Sequence, residues 1–410
     1  MKIAFFVPNA NIYSIDFTKV EDGNPGVGGS EYSAILVACI LCKRGHDNII
    51  VLCEKESNFP DKLKWKASGN LVKSIQYAKK HDIDYLVVDG KLLTKEIVCR
   101  FSTIRFIAWA NTFIPQCMYE FYTLRQNVVK IINVGKEQLE QTKGTGLYTK
   151  SCYIYNAVPT KVREEYTNFL PNAQRQNNVC YIGSLHPAKG FQYLAKAWSE
   201  VVRQIPNAQL FVIGSGKLYG RTTKLGPWGI ASKDFENEFM PYLTYDRKII
   251  DSVHFMGILG KEKYDVLSKC KVGVPNPSGV SETFGYTAVE MQFMDCQVTT
   301  IRCAGYTDTV CEKTNLYNDT EDLSNYIVRL LKNNEYDNKI VMEYIKKFSV
   351  ENVIDRWEQL LLELERNKIE ITVLRDGIYY VNLCLFYIGE IKDKIKYTMK
   401  VILSWTKRDN

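Results

Sequence analysis

Short, nearly continuous apolar runs recur along the chain, separated by longer stretches in which apolar and polar residues alternate with helical spacing. In the first half the runs fall at residues 3–7, 49–52, 85–88, 106–109, 128–134 and 152–155. Between the first two, the apolar stretch 31–44 stops at Gly45, a residue suited to ending a helix. Strands without polar alternation, interleaved with helices, predict a parallel sheet covered on both faces. A polar stretch, residues 168–178 with Pro171, breaks the pattern and reads as an interdomain linker. The alternation then restarts at 179–183, 210–214, 253–257, 272–274 and 298–301. The interval from Gly214 to Val253 is long for one connection, and its Gly, Pro and charge content predicts an inserted excursion. The expected fold is α/β, with two doubly wound domains, 1–167 and 179–347, whose strand carboxyl ends face each other across a cleft.

Composition narrows the class. A chain of 410 residues with 46% hydrophobic and 24% charged residues is an ordinary globular protein with ample core. The net charge of +7 is a mild excess, and no basic–aromatic arrangement suggests a nucleic-acid partner. The 12 cysteines are scattered through strands and helices without a disulfide framework, which points to a reducing compartment. Cys39 and Cys42 have the spacing of half a metal site, but the other half is missing. Their apolar run, 34–42, makes them buried helix cysteines, so no metal is expected. The segment from Met1 to Pro8 has too short an apolar core for a signal peptide, and the longest apolar run, 378–388, falls short of a membrane span. The expected location is cytoplasmic.

The chemistry concentrates in four short segments. Ser281-Glu282-Thr283-Phe284-Gly285-Tyr286-Thr287-Ala288-Val289-Glu290 carries two carboxylates on either side of a glycine turn that opens a helix. Such a strand–loop–helix junction presents backbone N–H groups to an anion, and Glu282 and Glu290 are placed to bracket a polyhydroxylated ligand. The plainer alternative is two unrelated surface acids. Gly26-Val27-Gly28-Gly29-Ser30-Glu31 precedes the first long helix and admits close backbone approach of a phosphate. It is not the dinucleotide fingerprint, because residues 8–25 separate it from the first strand. In Tyr181-Ile182-Gly183-Ser184-Leu185-His186-Pro187-Ala188-Lys189-Gly190-Phe191, Lys189 offers a cation to a diphosphate at a helix start. Tyr155-Asn156-Ala157-Val158-Pro159 forms a tight turn just before the linker.

Together these segments resemble the retaining glycosyltransferases of the GT-B fold, specifically family 4 (glycosyl transferases group 1), over roughly residues 1–360. The Glu–x7–Glu segment is similar to that family's signature, with Glu282-Thr283-Phe284-Gly285 in place of Glu-Gly-Phe-Gly. Gly28-Gly29-Ser30-Glu31 resembles its N-terminal glycine loop, Gly183 to Gly190 its phosphate loop, and Tyr155-Asn156-Ala157-Val158 its Pro-Asn-Gly-Val turn. Ala304-Gly305-Tyr306-Thr307-Asp308 is similar to the Gly-Gly-x-x-Glu loop that follows.

The resemblance implies two Rossmann-like domains, an acceptor side at the N-terminus and a nucleotide-sugar side at the C-terminus. It implies that Glu290 holds the donor ribose and that Glu282 lies by the transferred sugar, near the Thr283, Phe284 and Gly285 backbone. Lys189 stabilises the diphosphate leaving group with the Gly28 and Gly29 backbone, and Ser184 and His186 share the donor loop. Glu282 and Lys189 are the implied catalytic residues, and no metal or other cofactor is implied. By the resemblance, a UDP-sugar is the first donor to expect and GDP-mannose the second, with a glycan or a lipid-linked molecule as the expected acceptor.

Departures are equally legible. Ser184 stands where Arg is frequent, Asn111 on the acceptor side where His is frequent, Asp308 where Glu is, and Asp295 where Gly is usual. Of the histidines, His46 reads as structural, and His81 and His254 lack motif context. Residues 348–365 resemble the closing helix that returns to the N-terminal domain. In the tail, 366–410, Ile391, Ile395, Met399, Ile402 and Trp405 share one helical face beside Lys392, Lys396 and Lys400. That pattern suits an anionic membrane surface, and equally a helix packed on the protein with its lysines in water. Two other functions stay open: a GT-B sugar-nucleotide epimerase, and a catalytically weak donor-binding partner subunit of a glycan-assembly complex.

Overall fold

A computed structural model describes residues 1–159, 161–166 and 170–366; the basic tail lies outside these from residue 367 on. The N-terminal sheet contains β1 (Ile3–Val7), β2 (Ile49–Cys53), β3 (Trp65–Ala67), β4 (Tyr85–Asp89), β5 (Phe106–Ala110), β6 (Val128–Asn133) and β7 (Ser151–Tyr153). All pairings are parallel, in the order β3-β2-β1-β4-β5-β6-β7. The uniform hydrophobicity of β1 has a direct cause. Ile3, Phe5 and Val7 join one core cluster and Ala4 and Phe6 another, so both faces of the strand are buried. The helix Gly29–Lys43 covers the first face and buries ten residues in succession, which accounts for its lack of a polar stripe. The edge strand β3 has no sequence signature: its residues are exposed or half-buried.

The C-terminal sheet orders as β12-β9-β8-β13-β14, from β8 (Asn178–Ile182), β9 (Gln209–Ile213), β12 (Val253–Gly257), β13 (Val272–Gly273) and β14 (Gln297–Val298). Its described pairings are again parallel. The run expected at 298–301 divides between β14 and β15 (Thr300–Ile301), which pairs with β16 (Leu316–Tyr317) in a separate ladder. The excursion after Gly214 holds the helix Lys233–Phe239 and a hairpin, β10 (Thr244–Tyr245) with β11 (Lys248–Ile249). Glu236 is buried there, and its carboxylate accepts the N–H groups of Trp228, Ile230 and Ala231 at 3.0, 2.8 and 3.0 Å.

The polar segment at 170–178 is more firmly held than its composition suggests. Asn172 donates to the carbonyls of Lys271 and Asp295, and Arg175 to those of Leu267, Cys270 and Met294. Both side chains are buried, so polarity here marks hydrogen bonds to the C-terminal domain as well as a connection between domains. The last described helix, Val350–Arg366, packs back on the first sheet: Trp357 lies 5.5 Å from Phe5 and 4.8 Å from Trp109, ring to ring.

Asp295 shows why glycine is usual at its position. It follows the helix Tyr286–Phe293 with φ +62°, a left-handed conformation that costs a non-glycine residue about 1–2 kcal/mol. Its carboxylate offsets that cost by pairing with Arg163 at 3.0 Å and accepting from Asn338 at 3.2 Å. Asp295→Ala keeps the strain and removes the partly buried pair, so stability is expected to fall by about 3–5 kcal/mol. Asp295→Gly should lose about 1 kcal/mol less, because it relieves the backbone. Urea midpoints at constant slope check the ranking; equal losses in the two variants would show that the backbone is not strained there.

Candidate functional site

Each sheet reverses its winding once, between β1 and β4 in the first and between β8 and β13 in the second. Loops leaving such switch points form ligand crevices, and here the two sets face each other. After β8 the loop runs through Ser184 to Lys189, and after β13 through Asn276 to Gly285. Gly190 locks the two loops together. It has φ +68°, and a side chain there would strike the backbone nitrogen of Ser278. Ser278 Oγ donates to the Ala188 carbonyl at 2.7 Å. This contact brings Lys189 Nζ to 2.9 Å from Glu282 Oε2, which also accepts from Asn276 Nδ2 at 2.9 Å. Burial opposes the Lys189 ammonium, but Glu282 and its neighbours outweigh burial and hold the lysine above its ordinary pKa.

Gly285, at φ +83°, turns the chain into the helix Tyr286–Phe293, whose first N–H groups have no intrahelical acceptor. Glu290 therefore sits just over one turn into the helix. Its buried carboxylate meets Lys263 Nζ at 2.6 Å and the Tyr264 hydroxyl at 3.0 Å. Burial and the adjacent Glu290 push the Tyr264 hydroxyl well above its usual pKa. Lys263 is the cleft-lining side chain that sequence reasoning missed. It begins the short helix Lys263–Leu267, and no motif surrounds it. Only the packing of that helix against the helix of Glu290 reveals its role.

The N-terminal domain closes the other wall. Gly28 caps the helix Gly29–Lys43, Gly29 leaves room for the Tyr286 ring, and Glu31 folds back over Gly28. Ser33 hydrogen-bonds both Tyr286 and, at 3.2 Å, Asn156 of the turn before the linker. Thr283 Oγ1 donates to the Asn111 carbonyl at 2.6 Å. The enclosed cleft has a volume of about 360 Å³ and is lined by Gly28, Gly29, Asn111, Ser184, Lys189, Glu282, Thr283, Phe284, Gly285 and Glu290 together. From the excursion, Tyr219 reaches the cleft and Arg221 donates to the Gly26 carbonyl at 2.7 Å.

Two expected site features sit elsewhere. His186 is exposed and absent from the cleft lining; its Nδ1 accepts the Ala188 N–H at 3.3 Å, capping the turn that carries Lys189. Residues Ala304–Thr309 form a helix rather than a loop, and Asp308 leaves the cleft altogether. Its Oδ2 accepts the Glu137 N–H at 2.9 Å across the domain interface, and burial raises its pKa. Among the described residues no cluster of three or more His, Cys, Asp or Glu side chains is placed to hold a metal ion.

Residues 162–347, which contain both glutamates and Lys189, match the family model for glycosyl transferases group 1. The matched stretch spans the C-terminal domain. An uncharacterized glycosyltransferase of Haemophilus influenzae is 23% identical over 402 residues, covering 88% of this chain and 99% of its own length. The chain is similar in structure to Anabaena HepE in complex with UDP and glucose, with a TM-score of 0.63, 16% identity, and coverage of 88% of this chain and all of HepE. A glycosyltransferase from Rickettsia africae superposes with a TM-score of 0.60 at 14% identity, over 90% of this chain and 99% of its own. At these identities the likeness speaks for the fold, and the fold is GT-B. The matched stretch supplies the C-terminal wall of the cleft, and the N-terminal sheet the other.

Proposed function

We propose that the protein transfers a sugar from a nucleotide-sugar donor, a UDP-sugar before others, to a hydroxyl of a glycan or lipid-linked acceptor with retention of anomeric configuration. The reading includes a place in cell-surface polysaccharide or glycoconjugate assembly. The observation that carries it is the arrangement of two lysine–glutamate pairs, Lys189–Glu282 and Lys263–Glu290, along one cleft between two switch points. The fold likeness to HepE, seen with UDP and glucose, supports UDP as the nucleotide.

In this reading Glu290 accepts hydrogen bonds from the donor ribose, and Glu282 from hydroxyls of the transferred sugar. Lys189 directs one N–H at Glu282 and has two more for the diphosphate oxygens. As the bond from the anomeric carbon to the phosphate oxygen breaks, the acceptor oxygen bonds to that carbon from the same face. The acceptor's proton passes to the departing phosphate oxygen, so no protein base is required. Charge on the leaving group is met by Lys189 and by the helix N-termini behind Gly28 and Gly285. No helix among the described residues is long and apolar enough to cross a membrane, and a cytoplasmic enzyme that touches the membrane through its basic tail fits a lipid-linked acceptor.

The test is a nucleotide and nucleotide-sugar panel read by thermal unfolding, with transfer assayed in EDTA. At a concentration about 100-fold above Kd, UDP should stabilise the protein by about 2.7 kcal/mol, more than GDP at the same concentration. Transfer should persist in the chelator. Absence of any nucleotide shift would remove the donor site; a shift without transfer would favour a donor-binding partner subunit.

A further inference from the structure

Beneath the cleft, at the switch point of the N-terminal sheet, a small recess of about 10 Å³ is lined by Ser30, Glu31, Asp89, Trp109 and Asn111 over an apolar floor. It shares Ser30, Glu31 and Asn111 with the cleft, so the two adjoin. Its volume suits a single oxygen atom. We propose that this recess and Lys91 beside it form the acceptor seat, and that it takes a hydroxyl of an uncharged sugar while excluding phosphate-bearing acceptors. The proposal rests on the glycosyl-transfer reading and adds the acceptor's chemical class and the residues that select it.

Three of the residues that line the recess carry a buried polar atom without a hydrogen-bond partner: Asp89 Oδ2, Trp109 Nε1 and Asn111 Oδ1. Asp89 and Trp109 are 8% and 2% exposed, so water is largely withheld from both. Asp89 Oδ1 accepts the Lys91 N–H at 3.1 Å, whereas Oδ2 only pairs in charge with Lys91 Nζ at 3.3 Å, without hydrogen-bond alignment. Lining residues that bring two unpartnered acceptors and one unpartnered donor to an oxygen-sized space match a hydroxyl group, which both donates and accepts. A phosphate would meet two carboxylates and a single ammonium, and it has no proton to offer Asp89 at neutral pH. Position supports the assignment. Asp89 ends β4 and Asn111 follows β5, opposite the Lys189 and Glu282 loops, so an acceptor seated there faces the transferred sugar. Burial also raises the pKa of Glu31, as expected for a carboxylate awaiting a hydrogen-bond donor.

The experiment uses the full chain saturated with UDP and titrated with glucose, galactose, mannose and N-acetylglucosamine, and with their 6-phosphates, by saturation-transfer NMR. At least one neutral sugar should bind the wild type, with its 6-phosphate at least 10-fold weaker. Asp89→Asn and, independently, Glu31→Gln should weaken that sugar at least 10-fold while the UDP Kd moves less than 2-fold. A sugar lodged in the donor position would respond to Glu282→Gln and not to Asp89→Asn, and that pattern would overturn the seat. Tighter binding of the phosphates, no sugar binding by a UDP-loaded protein, or parallel loss of UDP affinity in Asp89→Asn would also overturn it. Failure of UDP itself to bind would instead strike the glycosyl-transfer reading, and the seat with it.

Discussion

Replacing Lys189 with alanine is expected to lower kcat for a UDP-sugar by about 10²–10³-fold, the cost of removing one preorganised charge from a developing oxyanion. The effect should be large here because Ser184 stands where a second cation is frequent. Charge on the departing diphosphate grows in the transition state, so kcat should suffer far more than KM. Lys189→Arg should recover part of the loss. Its guanidinium retains the charge, but the pocket is shaped by a 2.9 Å contact to Glu282 on a tightly locked loop. Steady-state UDP release, with the thermal midpoint as a control for folding, checks this. Activity in Lys189→Ala at the wild-type level would end the assignment.

The second large effect is expected at Glu290, where one substitution has two separable consequences. Glu290→Ala should weaken UDP about 10- to 100-fold, the range for losing a hydrogen bond to a charged group. It also leaves Lys263 buried without its carboxylate, at an expected cost of about 3–5 kcal/mol in stability. The pair Glu290→Gln with Lys263→Met tests whether these are distinct. The double variant has no uncompensated charge, so its urea midpoint should return toward that of the wild type while UDP affinity stays low. If affinity recovers with stability, Glu290 acts only by holding the fold, and its place at the ribose is lost.

The expected strands and the observed ones agree most closely where both faces of a strand are buried, as in β1, β4 and β5. There the apolar run and the strand are nearly the same set of residues. The agreement fails at β3, which is half-exposed, and at the β10–β11 hairpin, whose strands are two residues long. At the site, Glu282, Glu290 and Lys189 are legible as cleft residues because each lies at a local strand–loop–helix junction, and the glycine loop because it opens a helix. His186 was misread for the same reason: its neighbours place it in the phosphate loop, but its ring turns to cap the Ala188 N–H. The place of Asp308 was not legible, because its partner, the Glu137 N–H, belongs to the other domain.

The sequence by itself determined two parallel sheets, the loops at their carboxyl ends, and which short segments line the cleft. These follow from interactions within a few residues: apolar periodicity, glycine conformation and helix starts. Only the tertiary structure decided that Lys263 neutralises Glu290, that Glu282 and Lys189 share a hydrogen bond, and that Glu31, Asp89 and Asn111 surround one recess. Those contacts join residues tens of positions apart. Their geometry depends on how loops and helices that follow different strands pack within each domain, which no local pattern encodes.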